Sequence, residues 1–343
     1  MKRKKRIWTI AIVTFLLIIM ATGIFTYQKY MLPFFNVKQP VHVYINENKD
    51  YNDLLSQLQD VAHIKNIQVF DKIARAVKYP ENMRTGRYII TPDMSCKQLL
   101  QNLRNGDQSP ARITFNNIRL KEDFAKRMSE QLMFSEGELY QQLNDSSTCE
   151  RLGFDTNTIL SMFIPNTYEM YWNISVEKFL NRMKSEYDKF WNPDRIQKAQ
   201  EIPLTPIQIS ILASIVEEET AANSEYPIVA GLYINRLRRN MLLQADPTVK
   251  YAVGDFSLKR ILFVHLENDS PYNTYKYFGL PPGPIRIPSI RSIDSVLNYE
   301  HHDYIYMCAK EDFSGKHNFA TTLAEHNLNA AKYQAALNRN NIK

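Results

Sequence analysis

Three consecutive glutamates, Glu217-Glu218-Glu219, close an apolar run and offer the most evident chemistry in this sequence. Upstream, Thr205-Pro206-Ile207-Gln208 specifies a helix start. Thr205 suits the N-cap, Pro206 the first helical position, and Gln208 the return arm of a capping box. Counting about 100° per residue from there, Leu212, Ile215, Val216 and Glu219 share one face. Glu218 lies at the edge of that stripe and Glu217 points away. A carboxyl group on a buried face loses hydration, which disfavours its charged form and raises its pKa. A general acid needs that property near neutral pH, so the geometry selects Glu219. Without the stripe, the same run reads as a solvated acidic patch at a helix end.

The elements around this helix follow from pattern and punctuation. Val41 to Ile45 is β-branched and reads as a strand. Leu54, Leu55, Leu58 and Val61 recur at helical spacing, as do Phe70, Ile73, Ala74 and Val77 before Pro80. Gly86-Arg87-Tyr88-Ile89-Ile90 reads as a second strand. Ser95 and Gln98 fit a capping box, and the helix they open should stop near Gly106. Arg112 to Phe115 suits a strand, Leu120 to Leu132 an amphipathic helix, and Asp145 to Thr158 a polar surface connection. Ser224 suits the N-cap of a helix carrying Asn235 and Arg236. At the C-terminal end, Tyr304 to Ala309 and His317 to Phe319 should form a hairpin around Ser314-Gly315. A helix capped by Thr322 and Glu325 follows. The fold class is therefore α+β.

The chain has 343 residues, with 42 Lys and Arg against 36 Asp and Glu. Much of the surplus sits in Lys2-Arg3-Lys4-Lys5-Arg6, so the balance elsewhere gives no reason to invoke nucleic acid. Ile7 to Tyr27 is uncharged and apolar, close to the roughly 20 residues a spanning helix needs. The basic run should stay in the cytoplasm and the remainder lie outside it. Ala21-Thr22-Gly23 leaves open the alternative of a cleaved signal peptide. Cys96, Cys149 and Cys308 form neither a disulfide framework nor a metal pattern, and read as small apolar filler. The seven histidines show no ligand spacing, so no metal or other cofactor is expected. The expected layout is a cytoplasmic tail (1–6), a transmembrane helix (7–27), a small βααβ module (38–110) and a larger α+β catalytic domain (111–343). The strand-helix-helix-strand order of the module is similar to LysM domains, which bind N-acetylated glycans.

Ala213-Ser214-Ile215-Val216-Glu217-Glu218-Glu219-Thr220-Ala221 resembles the helix of the endolytic murein transglycosylase (YceG-like) family, whose catalytic glutamate directly precedes Thr. The likeness continues through Val229-Ala230-Gly231-Leu232-Tyr233-Ile234-Asn235-Arg236-Leu237 and Leu243-Gln244-Ala245-Asp246-Pro247-Thr248-Val249. It also covers Tyr272-Asn273-Thr274-Tyr275 and Gly279-Leu280-Pro281-Pro282-Gly283-Pro284-Ile285. Weaker likeness reaches Thr85-Gly86-Arg87-Tyr88 and Phe163-Ile164-Pro165-Asn166-Thr167-Tyr168. The family often has a short acidic, Gly-containing turn where this chain reads Asn116-Asn117-Ile118-Arg119, and an acidic residue where Asn166 stands. Neither departure is expected to touch the Glu219 motif.

The resemblance implies a single-pass inner-membrane protein with an extracytoplasmic catalytic domain acting on peptidoglycan strands, and cell-wall synthases as partners. It also implies a one-carboxylate mechanism in which Glu219 serves as acid and then base at the bond between N-acetylmuramic acid and N-acetylglucosamine, leaving a 1,6-anhydro end. Substrate contacts are expected from Asn235, Gln244, Asp246, Tyr272, Asn273 and Tyr275. Amides and carboxylates orient sugar hydroxyls, and aromatic faces pack on sugar rings. Turn formation by Gln244 and Asp246, and core packing by the tyrosines, remain open alternatives. Arg236 suits a structural role as well as substrate contact, and His317 a buried hydrogen-bonded position. Three other readings stand beside this one: a two-carboxylate muramidase pairing Glu219 with Asp246, a non-catalytic wall-binding or division scaffold, and a pyridoxal-phosphate lyase. The last needs a phosphate-binding glycine loop that is not recognisable here.

Overall fold

The computed structural model describes residues 2–258 and 260–340. Met1, at the head of the expected tail, and residues 341–343, at the end of the expected catalytic domain, lie outside the described residues. The chain divides into two compact units. One runs through Ile113 and takes in Gln131–Met133 and Glu169–Ile174; the other holds Thr114–Glu130, Phe134–Tyr168 and the chain from Ser175 onward.

The first unit carries α1 (Lys2–Met31), β1 (Val41–Ile45), α2 (Tyr51–Asp60), α3 (Ile67–Ala76), β2 (Gly86–Ile90), α4 (Cys96–Asn105) and most of β3 (Ala111–Thr114). Within α1, Arg6–Ile24 is long and apolar enough to cross a membrane, and none of that stretch is buried by the protein. β1 and β2 pair antiparallel, with Val43 opposite Tyr88 and Ile45 opposite Gly86. Alternation puts Val43, Ile45, Tyr88 and Ile90 on one face, where they bury against Leu54, Leu58, Phe70 and Leu99. Helix starts are fixed locally: Asp50 caps α2, Asn66 caps α3, and Ser95 with Gln98 forms the capping box of α4. Gly106 ends α4 at φ 79°, a left-handed conformation open to glycine without a Cβ penalty. Val61, expected on the apolar face of α2, is exposed, because the helix ends at Asp60 and Val61 is its C-cap.

The second unit is mostly helical. In chain order it holds α5 (Lys121–Ser129), α6 (Glu136–Asn144), α7 (Ser146–Arg151), the first half of β4 (Thr167–Met170), α8 (Val176–Phe190), α9 (Pro193–Glu201) and α10 (Pro206–Glu219). There follow α11 (Tyr226–Arg238), α12 (Asp246–Val253), α13 (Phe263–Leu266), α14 (Ile290–Leu297), β5 (Tyr306–Ala309), β6 (His317–Ala320) and α15 (Leu323–Arg339). β3 pairs with β4, and β5 with β6 in an antiparallel hairpin. The stretch 145–158 is not merely a surface connection. Asp145 caps the short α7, whose Cys149 is fully buried, and Leu152, Phe154 and Thr158 turn inward.

α10 is the axis of this unit and packs against α11, α12 and α14. Its start is the expected capping box, with Gln208 N donating to Thr205 Oγ1 and Gln208 Oε1 accepting from Thr205 N. The expected one-sided stripe is replaced by burial all round, since every residue from Ile209 to Val216 is buried. A helix apolar on all sides belongs inside a core. Its two buried serines are matched: Ser210 Oγ donates to Pro206 O, and Ser214 Oγ donates to Ile211 O and accepts from Ile285 N.

Candidate active site

Because α10 is enclosed, its three terminal glutamates are separated by their partners and not by a polar face. Glu217 does not point into solvent: its Oε2 accepts from Ser289 N at 2.7 Å and its Oε1 lies 3.4 Å from the Arg286 guanidinium. Glu218 takes Arg286 Nη1 at 2.7 Å and Arg119 Nη2 at 2.8 and 2.9 Å. Among the described residues no cation is in contact with Glu219. Its Oε1 accepts one short hydrogen bond, 2.6 Å, from Tyr233 Oη on α11. Two of the carboxylates are thus held by arginines, and the third is left to its surroundings.

Those surroundings push the Glu219 carboxyl up from its ordinary value to about 7. Burial is the main cause, and the neighbouring Asp246 carboxylate adds to it. The Tyr233 hydrogen bond and the more distant Arg236 and Lys250 charges act the other way. Glu219 also ends its helix, where unpaired carbonyls disfavour negative charge. A group so placed holds a proton through a large part of the neutral range and can both give and take it.

Glu219 opens onto a cleft of about 200 Å³ lined by Tyr233, Gln244, Asp246, Tyr275, Cys308 and His317. Asp246 is the first residue of α12, and Tyr275 Oη donates to its Oδ1 at 2.6 Å. Two carboxyl groups therefore face the cleft, each with a tyrosine hydroxyl on it. Thr274 ties the tyrosine loop to the start of α12. Its carbonyl accepts from Gln244 N, its Oγ1 accepts from Ala245 N, and it lies 2.8 Å from Thr248 Oγ1. Gln244 adopts φ 50°, the left-handed region sparsely used by side-chain-bearing residues and recurrent at functional sites.

Of the expected contact residues, Gln244, Asp246 and Tyr275 come together with Glu219. Asn235, Tyr272 and Asn273 are placed elsewhere in the unit. Asn235 Nδ2 donates to the carbonyls of His302 and Tyr304, fixing the approach to β5. Asn273 is fully buried; its Nδ2 donates to Leu266 O and Asn268 O while its Oδ1 accepts from Tyr275 N. That arrangement shapes the loop that delivers Tyr275. Tyr272 packs on Tyr251 with ring centroids 4.7 Å apart. Arg236 is buried and spends its guanidinium on the carbonyls of Ile305, Leu242 and Leu243. His317 both lines the cleft and pairs with Glu225, its Nδ1 2.9 Å from Oε2. Ser224 is not a helix cap; it sits in a 3-10 turn before α11.

The YceG-like family profile matches residues 43–332. The chain belongs to the YceG-like family. Among curated proteins it is 28% identical to the endolytic murein transglycosylase of Bacillus subtilis strain 168, over 88% of this chain and 87% of that one. It is 26% identical to the endolytic murein transglycosylase of Streptococcus pneumoniae serotype 2, over 95% of this chain. The chain spans 65% of the length of that pneumococcal relative. The crystal structure of a yceG-like protein of Listeria monocytogenes superposes with a TM-score of 0.55 at 26% identity, covering 85% of this chain and 99% of that one.

For a YceG-like chain, the turn 116–119 matters more than the sequence implied. Arg119 binds Glu218, the neighbour of Glu219, and Asn117 Oδ1 accepts from Arg286 Nη2 at 2.6 Å. The turn therefore does touch the glutamate motif. Tyr233 was not among the expected site residues, because it sits 14 positions from Glu219 on a different helix. The one signal for it was its place in the run 229–237. Cys308, expected as filler, borders the cleft.

Proposed function

We propose that this chain is an endolytic peptidoglycan lytic transglycosylase with Glu219 as its acid/base residue. The observation that carries the reading is a carboxyl group held near neutral pKa by burial, with no contacting cation among the described residues, at the wall of an open cleft. The names of the relatives point to the same chemistry. Protonated Glu219 gives its proton to the oxygen between N-acetylmuramic acid and N-acetylglucosamine. As the C1–O bond breaks, the C6 hydroxyl oxygen of the muramoyl sugar bonds to its own C1, and its proton passes to Glu219. The products are a 1,6-anhydro end and a free N-acetylglucosamine end, and no water is consumed. An intramolecular nucleophile needs no second carboxylate and offsets much of the entropic barrier. Tyr233 orients the acid, Asp246 keeps its proton on, and Gln244 and Tyr275 offer polar and aromatic contacts to the strand.

The same reading assigns Ile7 to Tyr27 as a single-pass anchor in the cytoplasmic membrane, with everything beyond it outside the cytoplasm. Residues 38–110 serve as a LysM-like glycan-holding module, and residues 111–343 as the catalytic domain. Cutting nascent strands there would terminate their elongation beside the synthases that extend them.

The test is the full-length chain in detergent, wild type and Glu219→Gln, on nascent glycan strands, with product ends read by mass spectrometry. Internal cuts with anhydro ends, lost in Glu219→Gln, support the reading. Free reducing ends instead indicate a hydrolase that uses Asp246 as second carboxylate, the alternative favoured by its place in the same cleft. A Glu219→Gln protein that binds strands and supports growth like wild type indicates a scaffold.

A further inference from the structure

The cleft around Glu219 has a cationic neighbour that the chemistry above leaves unused. α12 begins at Asp246 and carries Lys250 one turn later, about 6 Å along the helix axis. Residues four apart share a helix face, so the two belong to one side of α12. Lys250 lines a smaller pocket of about 50 Å³ with Arg119, Glu218, Tyr251 and Phe256. Arg119 spends only Nη2 on Glu218, and its guanidinium lies 5.2 Å from the Phe256 ring centre. About a third of that side chain remains exposed.

Arg119 and Arg286 offset Glu217 and Glu218, while Asp246, the acid one turn before Lys250 on α12, accepts the Tyr275 hydroxyl. Among the described residues Lys250 has no ion-pair partner, yet it lies close enough to Glu219 to act on its charge. Tyr251 and Phe256 give the pocket aromatic walls, and low-dielectric walls strengthen any pairing made between them. A free ammonium and a half-used guanidinium beside the point of bond cleavage are suited to a carboxylate.

We propose that Lys250 and the outer edge of Arg119 form a carboxylate-binding subsite for the acidic substituent of the muramoyl sugar being cut. The proposal rests on the glycan-cleaving reading. It makes the enzyme selective for strands whose sugars carry acid groups. In such a strand the carboxylate comes either from the lactyl ether itself or from a peptide attached to it.

The experiment uses the full-length chain in detergent and four substrates: peptide-bearing strands, strands stripped of peptide so that the lactyl carboxylate is free, and each of these with its carboxylates converted to neutral amides. The readout is the kcat/KM ratio of anionic over amidated strands within each variant, which cancels any change in the proton affinity of Glu219. Wild type should favour the anionic strands roughly tenfold or more, the size of one charge-assisted hydrogen bond. Lys250→Gln should bring that ratio close to one, and Lys250→Arg should recover most of it. A ratio that collapses in the peptide-bearing pair assigns the peptide, and in the stripped pair the lactyl group. The proposal is overturned if wild type cuts amidated strands equally well, or if Lys250→Gln keeps the wild-type ratio. If wild type cuts no strand at all, the glycan-cleaving reading fails instead.

Discussion

Tyr233 on α11 donates its hydroxyl proton to Glu219 on α10 across 2.6 Å, and the donor side chain is itself buried. A hydroxyl donating to a carboxylate stabilises the charged form, so this bond opposes the burial that raises the Glu219 pKa. Burial wins, and the net result is a carboxyl group titrating near 7. The tyrosine also fixes which oxygen is tied up. Oε1 receives the hydroxyl, and the proposed proton transfer falls to Oε2.

Removing that hydroxyl should therefore change the pH profile before it changes anything else. Tyr233→Phe takes away a contribution that lowers the pKa, so Glu219 keeps its proton to higher pH. The alkaline limb of the kcat/KM profile should move up, on the order of one pH unit. The maximal rate should fall by up to about tenfold as the carboxyl loses its fixed orientation. An alkaline limb that stays put, or moves down, contradicts this assignment.

Asp246→Asn should act in the opposite direction. The Asp246 charge helps keep Glu219 protonated, so neutralising it lowers the Glu219 pKa and moves the alkaline limb down. The asparagine oxygen can still accept from Tyr275, which limits structural damage. Loss of cutting as complete as in Glu219→Gln would instead make Asp246 a reacting group. The pair of opposite shifts distinguishes electrostatic tuning from a general loss of structure.

Much of the architecture was legible because it is locally determined. The capping boxes at Ser95–Gln98 and Thr205–Gln208 depend on residues three apart, and the strand pair Val41–Ile45 and Gly86–Ile90 on simple alternation. The partner set of the glutamates was not legible by such means. Arg119 meets Glu218 across 99 positions and Arg286 meets it across 68, separations that no periodicity spans. A one-sided apolar stripe singles out Glu219 only if α10 has a polar face, whereas every residue from Ile209 to Val216 is buried. Glu219 differs from its neighbours because, among the described residues, no arginine makes an ion pair with it, a property of the tertiary fold. Tyr272 and Asn273 resemble cleft residues in composition, but one packs on Tyr251 and the other ties a loop together.

Arg286 should be the costliest single loss in this network. Its side chain is 10% exposed and it contacts Glu218 at 2.7 Å and Glu217 at 3.4 Å. Breaking a buried pair from one side leaves unpaired charge, which costs about 3–5 kcal/mol. Arg286→Met should lower the Tm markedly, and Glu218→Gln combined with it should lose less than the sum of the two single changes. Additive losses would mean that the contact is not a working pair.

Glu219→Gln, by contrast, should stabilise the fold, and only above a certain pH. The unfolded carboxyl titrates near the ordinary value of 4.5 and the folded one at about 7, so between these values the native state binds the extra proton. Where the native state holds more protons, stability falls as pH rises. Ionising Glu219 therefore begins to cost stability above the unfolded value, and the full penalty is reached only above the folded one. That penalty is on the order of 1–3 kcal/mol. Glutamine cannot ionise and keeps an acceptor for Tyr233, so it escapes the penalty. Thermal unfolding should show Glu219→Gln above wild type at pH 8, with the gap closing by pH 5. A gap that is constant with pH would mean that the folded protein does not hold this carboxyl neutral, and the acid role would lose its basis.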